Sequence, residues 1–217
     1  MSADLQTRLH QGARALGLAL DEMALAHLVA YLDLLAKWNR VYNLTAVRDP
    51  TQMLTHHVLD SLAVISPLRR HTGGAPMRLL DVGSGGGLPG VVIAICCPEM
   101  AVTCVDTVAK KANFIQHVAA SLGLKNLRGL HARVEAVDER FDVVTSRAFA
   151  SLADFVTWSR GALAEEGVWL AMKGKRPADE MAALPAFAQV FHVEPLQVPG
   201  LDAERCLVWL RAQNATD

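Results

Sequence analysis

Long apolar runs are missing from this 217-residue chain, and nothing in it approaches the roughly 18 to 20 consecutive apolar positions that crossing a bilayer takes. The opening Met1-Ser2-Ala3-Asp4-Leu5-Gln6 has no basic region followed by an apolar one. No membrane span or secretory leader is expected, and a cytoplasmic location is. An excess of one charge is missing as well. Lys and Arg total 21 against 22 Asp and Glu, a formal net charge of −1. No whole-molecule field therefore draws in a polyanion, and nucleic-acid contact has to rest on local clusters. The clusters are Arg69-Arg70-His71, Lys110-Lys111, Arg128 with His131 and Arg133, and Lys173 with Lys175 and Arg176. Singly, such short runs are ordinary solvated surface. Metal-ligand spacing is absent too, since Cys96, Cys97, Cys104 and Cys206 form no C-x-x-C pair and have no histidine at zinc spacing. They sit in or beside apolar segments and are expected to be reduced core residues, with no metal site. Internal repeats and low-complexity stretches are also lacking.

What is present is 52% hydrophobic and 20% charged residues, the make-up of a globule able to hold one α/β domain with an appendage. The first 70 or so residues read as helical. Asp21 is placed to cap a helix whose apolar positions Leu25, Leu28, Val29, Leu32 and Leu35 recur about every 3.6 residues, and Gly17 separates it from a shorter helix around Leu5 to Leu16. Asp49-Pro50 is a second start signal, with the carboxylate as cap and proline at the first helical position. The Gly and Pro of Arg70-His71-Thr72-Gly73-Gly74-Ala75-Pro76 then mark a hinge. It divides a helical extension packed on the core, residues 1–70, from a second domain, residues 71–217.

Beyond the hinge, strand and helix alternate. Strands are expected over Arg78 to Val82, Ala101 to Asp106, Leu127 to His131, Phe141 to Ser146, Gly167 to Lys173, Val190 to Leu196 and Cys206 to Arg211. Helices are expected over Leu88 to Cys96, Ala109 to Leu122, Leu152 to Leu163 and Pro177 to Leu184. The alternation predicts a doubly wound α/β fold with a mostly parallel sheet. Only Pro199-Gly200-Leu201-Asp202 separates the last two strands, so those two are predicted to be antiparallel. Ligands of such sheets collect outside the carboxyl ends of the strands where strand order reverses. That rule brings the glycine turn after the first strand, Asp106, Arg133 to Glu135, and Ser146-Arg147 to one edge.

The glycine turn carries the chemistry. Asp81-Val82-Gly83-Ser84-Gly85-Gly86-Gly87 satisfies the D-x-G-x-G-x-G of S-adenosylmethionine enzymes, and Gly85-Gly86-Gly87-Leu88-Pro89-Gly90 satisfies the dinucleotide G-x-G-x-x-G. Glycines let backbone approach a ligand at distances that side chains forbid. Asp81 separates the two readings, because a carboxylate there opposes a pyrophosphate but suits the cationic amino group of S-adenosylmethionine. Pro89 also removes an N–H that a phosphate would use. Asp106, 19 residues beyond Gly87, is placed to accept from the two ribose hydroxyls of an adenosine. Asp81, Gly83, Gly85, Gly87 and Asp106 are thus the cofactor residues read from the pattern.

Several longer segments point further: Lys37-Trp38-Asn39-Arg40-Val41-Tyr42-Asn43-Leu44-Thr45, His57-Val58-Leu59-Asp60-Ser61, the Asp81 to Gly90 turn, Ser146-Arg147-Ala148-Phe149-Ala150-Ser151-Leu152, Lys173-Gly174 and Leu196-Gln197-Val198-Pro199. Together they resemble the bacterial 16S rRNA guanine-N7 methyltransferase family, the glucose-inhibited division protein B group, over nearly the whole chain. Gly86, where relatives often carry proline, and Met172, where they often carry leucine, are slight departures. The resemblance implies a Rossmann-like class I methyltransferase with a seven-stranded sheet and an antiparallel last strand. It also implies S-adenosylmethionine as cofactor, with S-adenosylhomocysteine as product, and cofactor contacts at Gly83, Leu88, Val134, Glu135 and Arg147. The implied partner is 16S rRNA, within the small ribosomal subunit or an assembly intermediate, and the chain is expected to act as a monomer.

Guanine N7 already presents an in-plane lone pair, so methylation there needs no general base. The task is positioning, with N7 held in line with the methyl group. Arg147 offers a bidentate fork for the methionine carboxylate or for an RNA phosphate, the alternative being a structural salt bridge at a strand end. Lys173, at the carboxyl end of the fifth strand, is expected to meet phosphate. Asn43 is placed to read a guanine edge and Asp60 to accept from guanine N1 and N2, with capping or helix packing as the alternative for each. His57 is included on the resemblance alone, since a surface histidine beside His56 has no chemistry of its own. Two other classes remain open at this level: a nicotinamide-dependent oxidoreductase and a non-catalytic RNA-binding scaffold. The intact Asp81, glycine turn and Asp106 weigh against the scaffold.

Overall fold

A computed structural model describes residues 3–149 and 151–213. Its seven strands form one sheet in the order β3-β2-β1-β4-β5-β7-β6. They are β1 (Arg78–Val82), β2 (Ala101–Asp106), β3 (Leu127–His131), β4 (Phe141–Arg147), β5 (Leu163–Lys173), β6 (Ala188–Leu196) and β7 (Arg205–Ala212). The five strands from β3 to β5 are parallel neighbours. β7 enters antiparallel between β5 and β6, as the short turn before it required. The chain steps outward from β1 to β2 and β3, then returns to place β4 on the other side of β1. The reversal point therefore lies between the carboxyl ends of β1 and β4.

The central strands are buried on both faces, which is why they read as near-continuous apolar runs. Alternate residues feed two cores. Leu79, Val102 and Cys104 join Leu9, Leu28, Leu32, Leu54, Val92 and Phe114 on one face, while Leu80, Val105 and Val144 join Phe155 and Trp169 on the other. The first face is covered by α6 (Gly90–Cys96) and α7 (Ala109–Leu122) and by the helical prefix. That prefix comprises α1 (Ala3–Ala15), α2 (Glu22–Tyr42), α3 (Pro50–Met53), a π-helical turn (Leu54–Leu59), α4 (Asp60–Leu62) and α5 (Ile65–Thr72). The second face carries α8 (Leu152–Ser159) and α9 (Ala178–Ala182). Among the described residues no helix is long and apolar enough to cross a membrane. All four cysteines are buried and free.

Two helix starts fall where the local signals put them. Asp21 accepts from Ala24 N at 2.7 Å and Asp49 from Gln52 N at 2.9 Å, each capping its helix, with Pro50 at the start of α3. Three expectations need correction. Helix α5 continues through Arg70-His71-Thr72 and stops where Gly73 turns left-handed (φ 62°), so the linker is only residues 73–77. Helix α8 ends at Ser159, a 3-10 turn follows at Arg160–Ala162, and β5 starts at Leu163, four residues before Gly167, because a register shift lets Leu163 pair with Phe141. Helix α6 starts at Gly90, after Pro89, since the glycine turn itself occupies the preceding residues.

The second core contains one polar junction. The fully buried Trp169 donates Nε1 to Ser159 Oγ at 2.9 Å, and that hydroxyl donates to Phe155 O at 2.5 Å. Ser159→Ala leaves the indole N–H unpaired in a dry site, so the unfolding free energy in urea should fall by about 1–3 kcal/mol. An unchanged urea midpoint would show that the junction carries no stability.

Candidate functional site

At the end of β1 the chain leaves the sheet through Gly83, Gly85 and Gly87, whose φ values of 67°, 57° and 88° lie in the left-handed region. Gly87 has a second constraint. A Cβ there would stand 2.4 Å from Val91 Cγ2 and 2.6 Å from Ile115 Cδ1, so the turn can sit this close to α6 and α7 only with glycine. Side chains hold the turn from beneath. Tyr31 donates its hydroxyl to Gly86 O at 2.6 Å, Asp106 Oδ2 accepts from Gly85 N at 3.0 Å, and Asp81 Oδ2 accepts from Gly90 N at 2.8 Å.

Asp81 is therefore not where the pattern put it. It is wholly buried under the turn, with Oδ1 lacking a hydrogen-bond partner among the described residues, and it does not line the cleft. Burial pushes its pKa up to about 7, although the Gly90 N–H and the charge of Arg147 both pull it down. A carboxylate buried in this way does not face the cleft, so the electrostatic argument that chose between the two cofactors loses its footing. Asp106 keeps its expected place. It lines a cleft, and its carboxylate also accepts from Val108 N at 2.9 Å with Lys111 Nζ 3.6 Å away. Each carboxylate oxygen accepts more than one hydrogen bond, so capacity for a ribose diol remains.

Two clefts open at this edge. One, of about 610 Å³, lies between the turn (Gly83 to Gly86, and Leu88), the π-helical segment at His56 and His57, Asp60, and the strand ends carrying Arg147, Lys173 and Arg205. The other, of about 470 Å³, is walled by Asp106, Val134, Glu135 and Trp158. They share Gly83, Ala148 and Phe149, and a Cβ on Gly83 would come within 3.5 Å of the Phe149 ring. Size alone does not single out the pair, since hollows of about 600 and 560 Å³ lie elsewhere. Position does: the carboxyl ends of β1, β2, β4 and β5 converge here. Two clefts that meet at Gly83, Ala148 and Phe149, with an acid on the far wall, fit an elongated ligand that has a nucleoside at one end and an amino acid at the other.

Most of the remaining candidates are present but already paired. Arg147, at the end of β4, donates Nη1 to His56 O at 2.8 Å and to Asp60 Oδ2 at 3.0 Å, and reaches His57 Nδ1 at 3.4 Å. Asp60 is 2% exposed and holds Arg205 as well, so its carboxylate is not open to read guanine N1 and N2 as expected. His57 is buried rather than a surface histidine, with Nε2 2.7 Å from Thr45 Oγ1. Burial and the neighbouring Arg147 charge push its pKa down to about 4, so the ring is neutral at pH 7. Lys173 is in the cleft wall but pairs with Glu180 at 2.8 Å. Asn43 departs most. It is the left-handed C-cap of α2 (φ 50°), accepts from Arg48 at 3.0 Å and does not line the cleft, because a helix end needed a residue tolerant of that conformation. Val134 and Glu135 form the 3-10 turn after β3 and line the second cleft. Arg205 joins the site without a motif of its own; its one signal in the sequence is indirect, an antiparallel β7 that begins at the edge where β5 ends.

This parallel sheet with its antiparallel hairpin, reversing at a glycine turn between acid-bearing strands, is the fold of class I methyltransferases. A 1,6-didemethyltoxoflavin-N1-methyltransferase from Burkholderia thailandensis, solved with S-adenosylhomocysteine, superposes with a TM-score of 0.57 at 16% identity, covering 86% of this chain and 89% of that one. TrmN from Thermus thermophilus gives 0.55 at 20% identity over 74% and 53%. Residues 24–208 match the family described as rRNA small subunit methyltransferase G, and this chain belongs to that family. Curated relatives of that name include one from Acidovorax ebreus, 66% identical over 97% of this chain and 96% of its own length, and one from a Polaromonas species, 64% identical over 95% and 93%.

The buried state of Asp81 has a pH signature. Its folded pKa of about 7 lies above the unfolded value of 3.8, so the native state binds the extra proton between those values and loses stability as pH rises through that window. Asp81→Asn abolishes this dependence. The unfolding free energy of the variant relative to the native chain should rise from about pH 4 to about pH 7 and then level off; parallel profiles would place the carboxylate in water.

Proposed function

We infer that the chain transfers a methyl group from S-adenosylmethionine to N7 of one guanine in 16S rRNA. The observation that carries this reading is the glycine turn at the meeting of two clefts at the reversal point, in a chain that belongs to the rRNA small subunit methyltransferase G family over nearly its full length. S-adenosylmethionine, when bound, supplies an electrophilic methyl group on a cationic sulfur and leaves as S-adenosylhomocysteine. Asp106 would hold the ribose hydroxyls, while Val134 and Glu135 would meet the adenine from the second cleft. Gly83, Gly85 and Leu88 would support the middle of the ligand, and Arg147 would meet its carboxylate.

The acceptor guanine enters the first cleft. Its N7 lone pair attacks without losing a proton, so the chain's work there is alignment rather than base catalysis. The surroundings of His57 agree with that division. A neutral ring with both nitrogens engaged, by Arg147 and Thr45, is braced as structure and has no idle lone pair for a proton. In folded RNA the base has to be exposed or turned out to reach such a cleft. A chain of net charge −1 binds free RNA weakly, so we place its substrate in the assembled small subunit or an assembly intermediate, met by a monomer in the cytoplasm.

Mass mapping of 16S rRNA from cells with and without the gene should reveal a single 7-methylguanine that disappears, and an identical map would overturn the assignment. In purified form, Arg147→Ala should lower kcat/KM at least about tenfold, the scale of one charge-assisted contact. Unchanged kinetics would remove Arg147 from the site.

A further inference from the structure

The wall of the first cleft holds an uneven charge arrangement. Asp60 accepts from two guanidinium groups at once, Arg147 Nη1 on Oδ2 at 3.0 Å and Arg205 Nε on Oδ1 at 2.9 Å. The two arginines arrive from the end of β4 and the start of β7, separated from Asp60 by 87 and 145 residues. One buried carboxylate facing two permanent cations leaves a surplus of one positive charge on the wall. Lys173 does not add to it, because Glu180 neutralises it at 2.8 Å.

The surplus falls on Arg205. Arg147 is fastened on three sides, to Asp60, His56 O and His57. Arg205 is fastened through Nε to Asp60 and through Nη1 to Glu204 O at 2.8 Å, and among the described residues its Nη2 has no partner. Its side chain, 24% exposed, lies on the cleft wall, held through Nε and Nη1. A guanidinium held by a buried carboxylate and offering its remaining N–H groups to a cleft is a preorganised seat for an oxyanion.

We propose that Arg205 binds a phosphodiester of the RNA strand beside the target nucleotide, and that Asp60 is a positioning residue which holds Arg205 and Arg147 at a fixed separation. The anion-binding wall is thereby coupled to the cofactor end, since one carboxylate sets both guanidinium groups. Asn39 extends the same framework to the cleft mouth by accepting from Thr45 N at 2.8 Å, and Thr45 in turn meets His57. This proposal rests on the rRNA methyltransferase reading.

The test uses the full-length protein with small ribosomal subunits lacking the modification. Arg205→Gln should raise KM for subunits about tenfold and reduce the slope of log kcat/KM against log salt by about one. Its Kd for S-adenosylhomocysteine, measured by calorimetry, should stay within about twofold of the native value. A weakened S-adenosylhomocysteine affinity with an unchanged salt slope would assign the anion to the cofactor carboxylate and overturn the phosphodiester seat, as would native kinetics. Asp60→Asn, if it folds, should lose about as much as Arg205→Gln or more, and the double variant should lose little beyond Asp60→Asn alone. Additive losses would reject positioning. A native protein that methylates no subunit would refute the underlying reading instead, whatever the variants do.

Discussion

A stretch of backbone that has to remain free of side chains on its outer side governs this molecule. The turn from Gly83 to Gly87 is fastened from within the protein: Val105 O in β2 accepts from Gly83 N and Ser84 N, Asp106 Oδ2 from Gly85 N, and Tyr31 of α2 donates to Gly86 O, while Asp81 of β1 holds Gly90 N just beyond it. The fastenings depend on two layers. The hydroxyl of Tyr31 requires the helical prefix to lie against the sheet, and the two carboxylates require β1 and β2 to be adjacent and in register, as they are from Arg78–Ala101 to Val82–Val105. The prefix is thus part of the site's foundation, sharing one hydrophobic core with the sheet face on which it rests.

Charge is arranged on the same plan. The molecule is nearly neutral, yet cations collect along the carboxyl edge of the sheet and are set in place by buried or half-buried acids, Asp60 for Arg147 and Arg205, Glu180 for Lys173, Asp106 for Lys111. Removing carboxylates from water is costly, and each is retained where it orients a cation at the cleft wall. The free energy of those pairs is better understood as geometry than as stability. A chain organised this way relies on shape and a few aimed contacts for RNA selection, with little help from a long-range field.

The fold was legible because its signals are local. The first three strands fall on the residues that apolar periodicity and flanking turns indicated, Asp21 and Asp49 cap the helices they were expected to cap, and the antiparallel final pair follows from a connection too short for a crossover. The site was legible only in outline. Asp106, Val134, Glu135 and Arg147 reach the clefts because the switch-point rule says where strand ends go. What those side chains touch depends on partners far away in sequence, and no periodicity reports that Asp60 meets Arg147 and Arg205 or that Lys173 meets Glu180. Asn43 shows the opposite error, a residue lifted by a motif whose local duty is to end a helix. Asp81 lies between the two: the pattern singled it out as a partner for a ligand's ammonium group, and the structure has it buried, accepting from Gly90 N at the start of α6.

The turn's role as a ligand cradle, and not merely a chain reversal, is most directly tested at Gly85. A Cβ at Gly85 meets no protein atom closer than Gly83 O at 4.0 Å, in contrast to the crowded Gly87, and it would project at the cleft. Calorimetric titration of Gly85→Ala with S-adenosylhomocysteine is the decisive measurement. The variant should fold, losing about 1–2 kcal/mol to its left-handed backbone, while its Kd rises at least about tenfold over the native protein. A folded variant that binds S-adenosylhomocysteine as tightly as the native chain would contradict the account.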